Sequence, residues 1–165
     1  MACFYSYPGS LFTSSSTPNT ALLATALKAG ATRNVGVKSF TGSGRDTART
    51  NLNAIQYELI KWTSTATAIN TGSTVVGAPT DPGFQAAKST MFACTGQGGT
   101  ALTTGTGGPI VHATISSSLT TSQPWTEYNP DALPTIEGAA TMSIDIRISS
   151  PIASALCFAS VLAAE

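Results

Sequence analysis

Few side chains in this sequence can do acid–base, nucleophilic or metal chemistry, and their spacing decides what they are for. One histidine occurs, His112, set between Val111 and Ala113. A general base needs a nucleophile within hydrogen-bond reach and a third group to orient it. No Gly-x-Ser-x-Gly turn that would present such a serine is written in the chain, so His112 reads as an ordinary strand histidine. Asp81, Glu127, Asp131 and Glu137 are scattered through loop-like stretches and do not form the paired carboxylates of a hydrolase or a metal cage. Cys3, Cys94 and Cys157 are odd in number and far apart, without the Cys-x-x-Cys pairs or histidine partners of a zinc site; they are expected to be buried or inert thiols. The runs Gly42-Ser43-Gly44-Arg45-Asp46-Thr47 and Gly96-Gln97-Gly98-Gly99-Thr100-Ala101 lack the third glycine and the Gly-Lys-Ser/Thr of phosphate-binding loops. The expectation is a non-enzymatic chain with no cofactor and no metal.

Contact surfaces are the alternative to chemistry. The chain has 165 residues, 8 basic and 8 acidic side chains, and only 10% charged residues, against roughly 25% in an ordinary globular protein. Neutrality removes any general attraction to nucleic acid or anionic lipid and weakens the repulsion that keeps copies apart, so self-association is expected and nucleic-acid binding is not. The hydrophobic fraction of 42% is too high for disorder. The longest apolar stretch, 152–164, is interrupted by Ser154 and Ser160 and is shorter than the ~20 residues of a helical membrane span. The first residues, Met1-Ala2-Cys3-Phe4-Tyr5-Ser6-Tyr7-Pro8, show neither the basic nor the apolar region of a secretory signal. One polarity stands out. Lys28, Arg33, Lys38, Arg45 and Arg49 against Asp46 give that stretch a charge of +4, and because the net charge is zero the remainder carries −4. Such a polarity can orient a head-to-tail or subunit-to-scaffold contact, with Arg45 and Arg49 as candidate contact residues.

The elements that position these residues are mainly strands. Residues 1–18, rich in Pro, Ser and Thr, read as an extended N-terminal arm. Its anchors Tyr5, Tyr7, Leu11 and Phe12 are candidates for contact with a neighbouring subunit, and 19–165 reads as a single β-rich domain. A capped, Ala- and Leu-rich segment predicts a short helix over about 20–29, with Gly30 just beyond it. Over 47–62 the periodicity favours a helix, with Leu52, Ile55, Leu59 and Trp62 along one stripe, because a strand would put Ile60 and Trp62 on the wrong face. Thr32–Phe40, Thr63–Ile69, Ser73–Gly77, Ser89–Thr95, Ile110–Ser118, Thr141–Ser150 and Ile152–Leu162 read as strands. The clearest has Met142, Ile144, Ile146 and Ile148 facing inward and Ser143, Asp145, Arg147 and Ser149 facing water. The last, apolar on both parities, suits a central strand or one whose outer face meets another subunit. The Gly/Thr-rich run 96–109 and the proline-stiffened run 123–134 read as long loops, and Trp125 and Tyr128 make the second a candidate contact surface. The fold class expected is an antiparallel β-sandwich or jelly-roll-like domain with one or two short helices.

Taken together, the Pro/Ser/Thr segment before Asn19, the hydroxyl-rich strands such as 141–150, the Gly/Thr loops and the apolar last strand resemble small virion structural proteins of tailed bacteriophages. The likeness is to the decoration or cement proteins that clamp capsid subunits. That resemblance implies location in the virion, and a homo-oligomer, often a trimer, whose partners are itself and a major capsid or other virion protein. The rival readings are a phage tail or fibre component, which should build rings or tubes by itself, and a bacterial surface or pilus-type subunit, which needs an export route.

Overall fold

Ile144, Ile146 and Ile148 alternate with polar neighbours, and this period of two builds a strand whose apolar side must meet a second apolar surface. The computed structural model, which describes residues 3–9, 11–14, 16–19, 21–45, 55–62, 73–94, 109–117, 123–138 and 143–165, supplies that surface as a second sheet. The strands are β1 (Phe4–Tyr7), β2 (Phe12–Thr13), β3 (Leu22–Lys28), β4 (Val35–Arg45), β5 (Ile55–Trp62), β6 (Ser73–Val76), β7 (Ala78–Pro79), β8 (Thr90–Ala93), β9 (Pro109–Ser117), β10 (Gln123–Thr126), β11 (Thr135–Ile136), β12 (Ser143–Ser149) and β13 (Leu156–Ala164). One sheet has the order β10-β4-β13-β1-β7, with β11 also on β4 and β2 on β13; the other has the order β6-β8-β3-β12-β5-β9. The pairings are antiparallel, and the two sheets enclose one core, giving a mainly β sandwich. Among the described residues no helix is long and apolar enough to cross a membrane.

The core is filled by Tyr5, Tyr7, Phe12, Val35, Val37, Phe40 and Val161 from the first sheet and by Leu27, Tyr57, Leu59, Met91, Ile144, Ile146 and Ile148 from the second, all buried. Glycine makes room where the large rings press on the opposite layer. A Cβ on Gly42 would stand 2.5 Å from the Tyr57 ring, and beyond that contact the Tyr57 hydroxyl donates to the carbonyl of Ser43 at 2.5 Å. Burial raises the Tyr57 hydroxyl's pKa well above its ordinary value, so the ring stays a neutral donor.

Five expectations are corrected. The helix over 20–29 is strand β3: Leu27, Thr25 and Leu22 pair with Ile144, Ile146 and Ile148, and a bulge interrupts the register between Ile146 and Arg147. Buried from Leu23 through Leu27, it shows no wet face, and a short continuous apolar run cannot be told from a buried helix by periodicity. The helix over 47–62 is strand β5 for Ile55–Trp62; residues 46–54 lie outside the described ones. Ile60 is not on a wrong face, because it is buried with Leu23, Ala26 and Phe92 on the outer side of the second sheet. For the same reason Ser143 and Asp145, expected in water, are buried. On that outer side the register aligns Phe92, Ala26, Asp145, Ile60 and Val111 across five strands.

The fourth correction concerns the N-terminal segment. Instead of an arm leaving the domain, β1 fills the place between β13 and β7, and both β1 and β2 run along β13, from Phe4↔Ala164 to Thr13↔Leu156. Between them Gly9 lies so close to β13 that a Cβ would stand 1.6 Å from the Ala159 carbonyl oxygen, a contact only glycine permits. β13 is central, between β4 and β1, as expected of a segment apolar on both parities. The run 123–134 is only partly a loop, since Gln123–Thr126 is strand β10 and Pro130–Ala132 a 3₁₀ turn. The expected strand 63–69 and the run 96–108 lie outside the described residues.

Candidate functional site

β9 and β10 are the edge strands of their respective sheets, and they touch on one side of the sandwich. Along β9, Ala113, Ile115 and Ser117 are buried, while His112, Thr114 and Ser116 are exposed. Ile110 and Val111 are 49% and 45% exposed. The register against β5 skips from Leu59↔Ala113 to Ile60↔Val111, which makes His112 the extra residue of a bulge. Desolvation first, and then the positive charge of Lys61, hold its imidazole below the ordinary histidine range, so it is neutral at neutral pH.

The chain leaves β10 into a turn held by hydrogen bonds to β4 and by others within the turn itself. The Lys38 amine donates to the Glu127 carbonyl and the Glu127 amide donates to the Lys38 carbonyl at 2.9 Å. The Glu127 carboxylate accepts from the Asn129 amide at 2.9 Å, and the Asn129 side chain caps the 3₁₀ turn by accepting from the Asp131 amide at 3.0 Å. Pro130 fixes its own φ at the start of that turn. This frame carries Tyr128, which is 85% exposed and has the Lys38 ammonium 5.7 Å from its ring centroid. Trp125 is half-buried and tilts against Phe40 with centroids 5.8 Å apart, so it supports the turn from below. The result is an aromatic side chain in water on a pre-ordered base, which loses little conformational freedom on contact.

The sequence candidates divide. Tyr5, Tyr7 and Phe12 are buried in this chain's own core and are not available to a neighbour; alternation within β1 turns both tyrosines inward. Leu11 is 61% exposed, between β1 and β2. Tyr128 is the exposed aromatic of the turn and Trp125 its half-buried support. Arg45 ends β4 opposite Leu156, and Arg49 lies outside the described residues. Of the described basic residues of that stretch, Lys28 ends β3 in one sheet and Lys38 lies on β4 in the other, engaged with the 127–128 turn. Sequence reasoning missed the edge character of β9. Its signal is that residues 109–118 contain no Lys, Arg, Asp or Glu, the residues that normally guard an open edge.

A second polar cluster lies at the far end of β13. The Glu165 carboxylate accepts from the Lys88 and Ser89 amides, each at 2.9 Å, from the Ser89 hydroxyl, and from the Tyr7 hydroxyl at 3.0 Å. Tyr7 and Ser89 hydroxyls are 2.5 Å apart. Ser89 is buried, so the cluster fastens β1, the segment before β8 and the end of β13 to one another. Cys94 and Cys157 are buried and Cys3 partly so, all as free thiols; burial pushes the Cys157 thiol up to about 11 and raises that of Cys94, which suppresses the reactive thiolate. Among the described residues no group of three or more His, Cys, Asp or Glu side chains could hold a metal ion. No family model, curated protein or solved structure matches this chain.

Proposed function

We propose that the protein is a non-enzymatic structural component of a virion, a decoration or cement protein that binds a capsid lattice as a homo-oligomer and stabilises it. The observation that carries the reading is the Tyr128 turn, an exposed ring on a hydrogen-bonded frame that follows β10, the strand in contact with the edge strand β9. The neutral, hydroxyl-rich composition is in keeping with it. The mechanism is physical. Covering such groups on a capsid subunit gains about 25 cal/mol per Å² of apolar surface, less the cost of association and ordering, and a lattice repeats the gain at every subunit. The test is co-sedimentation of the purified protein with capsids assembled without it. The wild-type chain is expected to saturate a fixed number of sites, and Tyr128→Ala to weaken binding by tenfold or more, as truncation of an interface anchor does. Binding that ignores Tyr128→Ala would overturn the placement of the contact. Rings or tubes growing from the purified protein alone would replace the capsid reading by a tail or fibre one.

A further inference from the structure

From the edges of the two sheets we infer that β9 pairs with β9 of a second copy of this chain, antiparallel and about a two-fold axis near Ile115, so that the second sheets of two molecules join into one continuous sheet. The inference does not depend on the capsid reading.

The terminal strands along the two sheets are β10 and β7, and β6 and β9; three of these are poor templates, as are the two-residue β2 and β11 that lie off the path. β7 has two residues and contains Pro79, β10 has four and contains Pro124, and β6 has four. Short strands and prolines are the usual protection of a sheet edge. β9 is different: with nine residues it is longer than β5, β12 or β3 in the same sheet, and its free side has no partner among the described residues.

The choice of a second copy as occupant rests on charge and on length. In a two-fold strand pair each residue meets its own kind or a near neighbour, so any charge on the strand would face a like charge across the axis. β9 has none between Pro109 and Ser117, and the chain as a whole is neutral. Of the described edges of this molecule, β9 alone offers a proline-free run of five residues, Ala113–Ser117, and another β9 supplies the same run to pair with it. The bulge at His112 bends the first part of the strand and leaves Ala113–Ser117 as the regular run. With the axis at Ile115, Thr114 of each copy faces Ser116 of the other, two hydroxyl-bearing exposed residues suited to cross-strand pairing. A two-fold pair of this kind makes a dimer, where the decoration-protein resemblance implies a trimer.

The experiment is sedimentation equilibrium on the full chain without capsids. The wild type is expected to be a concentration-dependent dimer. The double substitution Thr114→Lys with Ser116→Lys, at exposed positions, should raise the dissociation constant by about tenfold or more at low salt, and Thr114→Glu with Ser116→Glu should do the same. An equimolar mixture of the two variants should recover association, since only a β9-to-β9 contact sets Lys against Glu. A monomeric wild type, variants that associate like the wild type, or a mixture that does not recover would each overturn the inference. Amide exchange on the unmodified protein gives a check free of substitutions: peptides covering 109–117 should exchange more slowly as concentration rises, and concentration-independent exchange there would also overturn it. Failure here leaves capsid binding to be judged by its own test, and failure there leaves the dimer standing.

Discussion

Glu165 shows how much one carboxylate can hold. Burial alone would push its proton affinity up, but the hydrogen bonds from the Ser89 hydroxyl, the Lys88 and Ser89 amides and the Tyr7 hydroxyl outweigh that effect and keep the carboxyl below its ordinary value. A carboxyl whose folded pKa is depressed stabilises the fold fully above its unfolded pKa, about 4.3 for glutamate. That contribution is lost as the pH falls through the folded value. Glu165→Gln is therefore expected to lower the melting temperature near neutral pH and to flatten the acid limb of the stability profile, measured by thermal melts from pH 7 downward. A variant that melts in parallel with the wild type at every pH would show that the cluster carries no linkage. None of this was legible in the sequence, where Ser89, Tyr7 and Glu165 are separated by 76 to 158 positions. The core residues of β12 were legible, because Ile144, Ile146 and Ile148 carry their period in a single short segment.

At the scale of elements, the strands read well where polar and apolar residues alternate in the sequence and poorly where apolar residues fall on both parities. β9 and β12 were found within about two residues of their bounds, whereas β3 and β5 were read as helices because the outer face of the second sheet is buried over Leu23, Ala26 and Ile60. Hydrophobic period separates helix from strand only when a polar face marks the count. The N-terminal segment failed for another reason: its Pro, Ser and Thr content describes an extended chain correctly but cannot say whether that chain docks on its own molecule or a neighbour. It docks on its own β13, carrying Tyr5, Tyr7 and Phe12 into the core. Deleting residues 1–18 is thus expected to unfold the protein. Loss of a buried aromatic costs about 3–5 kcal/mol, so losing three exceeds the stability of an ordinary domain, ~5–15 kcal/mol, at least at its lower end. Circular dichroism and proteolysis of the truncated chain read this directly, and a truncated chain that melts cooperatively near the wild-type temperature would contradict it.

For the whole molecule, neutrality and the uneven quality of its edges matter more than any one residue. A surface with little charge leaves shape and backbone pairing to decide what the protein meets, and the long edge and the ordered aromatic turn lie on the same side of the sandwich. The opposite ends of the chain tell a different story. Cys3 and Glu165 exchange two backbone hydrogen bonds, at 3.1 and 2.9 Å, so the first and last described residues sit side by side as rungs of one ladder. A few glycines and serines would bridge them, and the sequence could then be cut open elsewhere, at the exposed 81–83 turn for instance. Such a circular permutant is expected to keep the wild-type circular dichroism spectrum and association state, while its strands β1 and β13, now made one after the other, would find each other as a local hairpin and speed refolding in stopped-flow measurements. The same closeness means that segments joined before Cys3 and after Glu165 would leave the sandwich side by side.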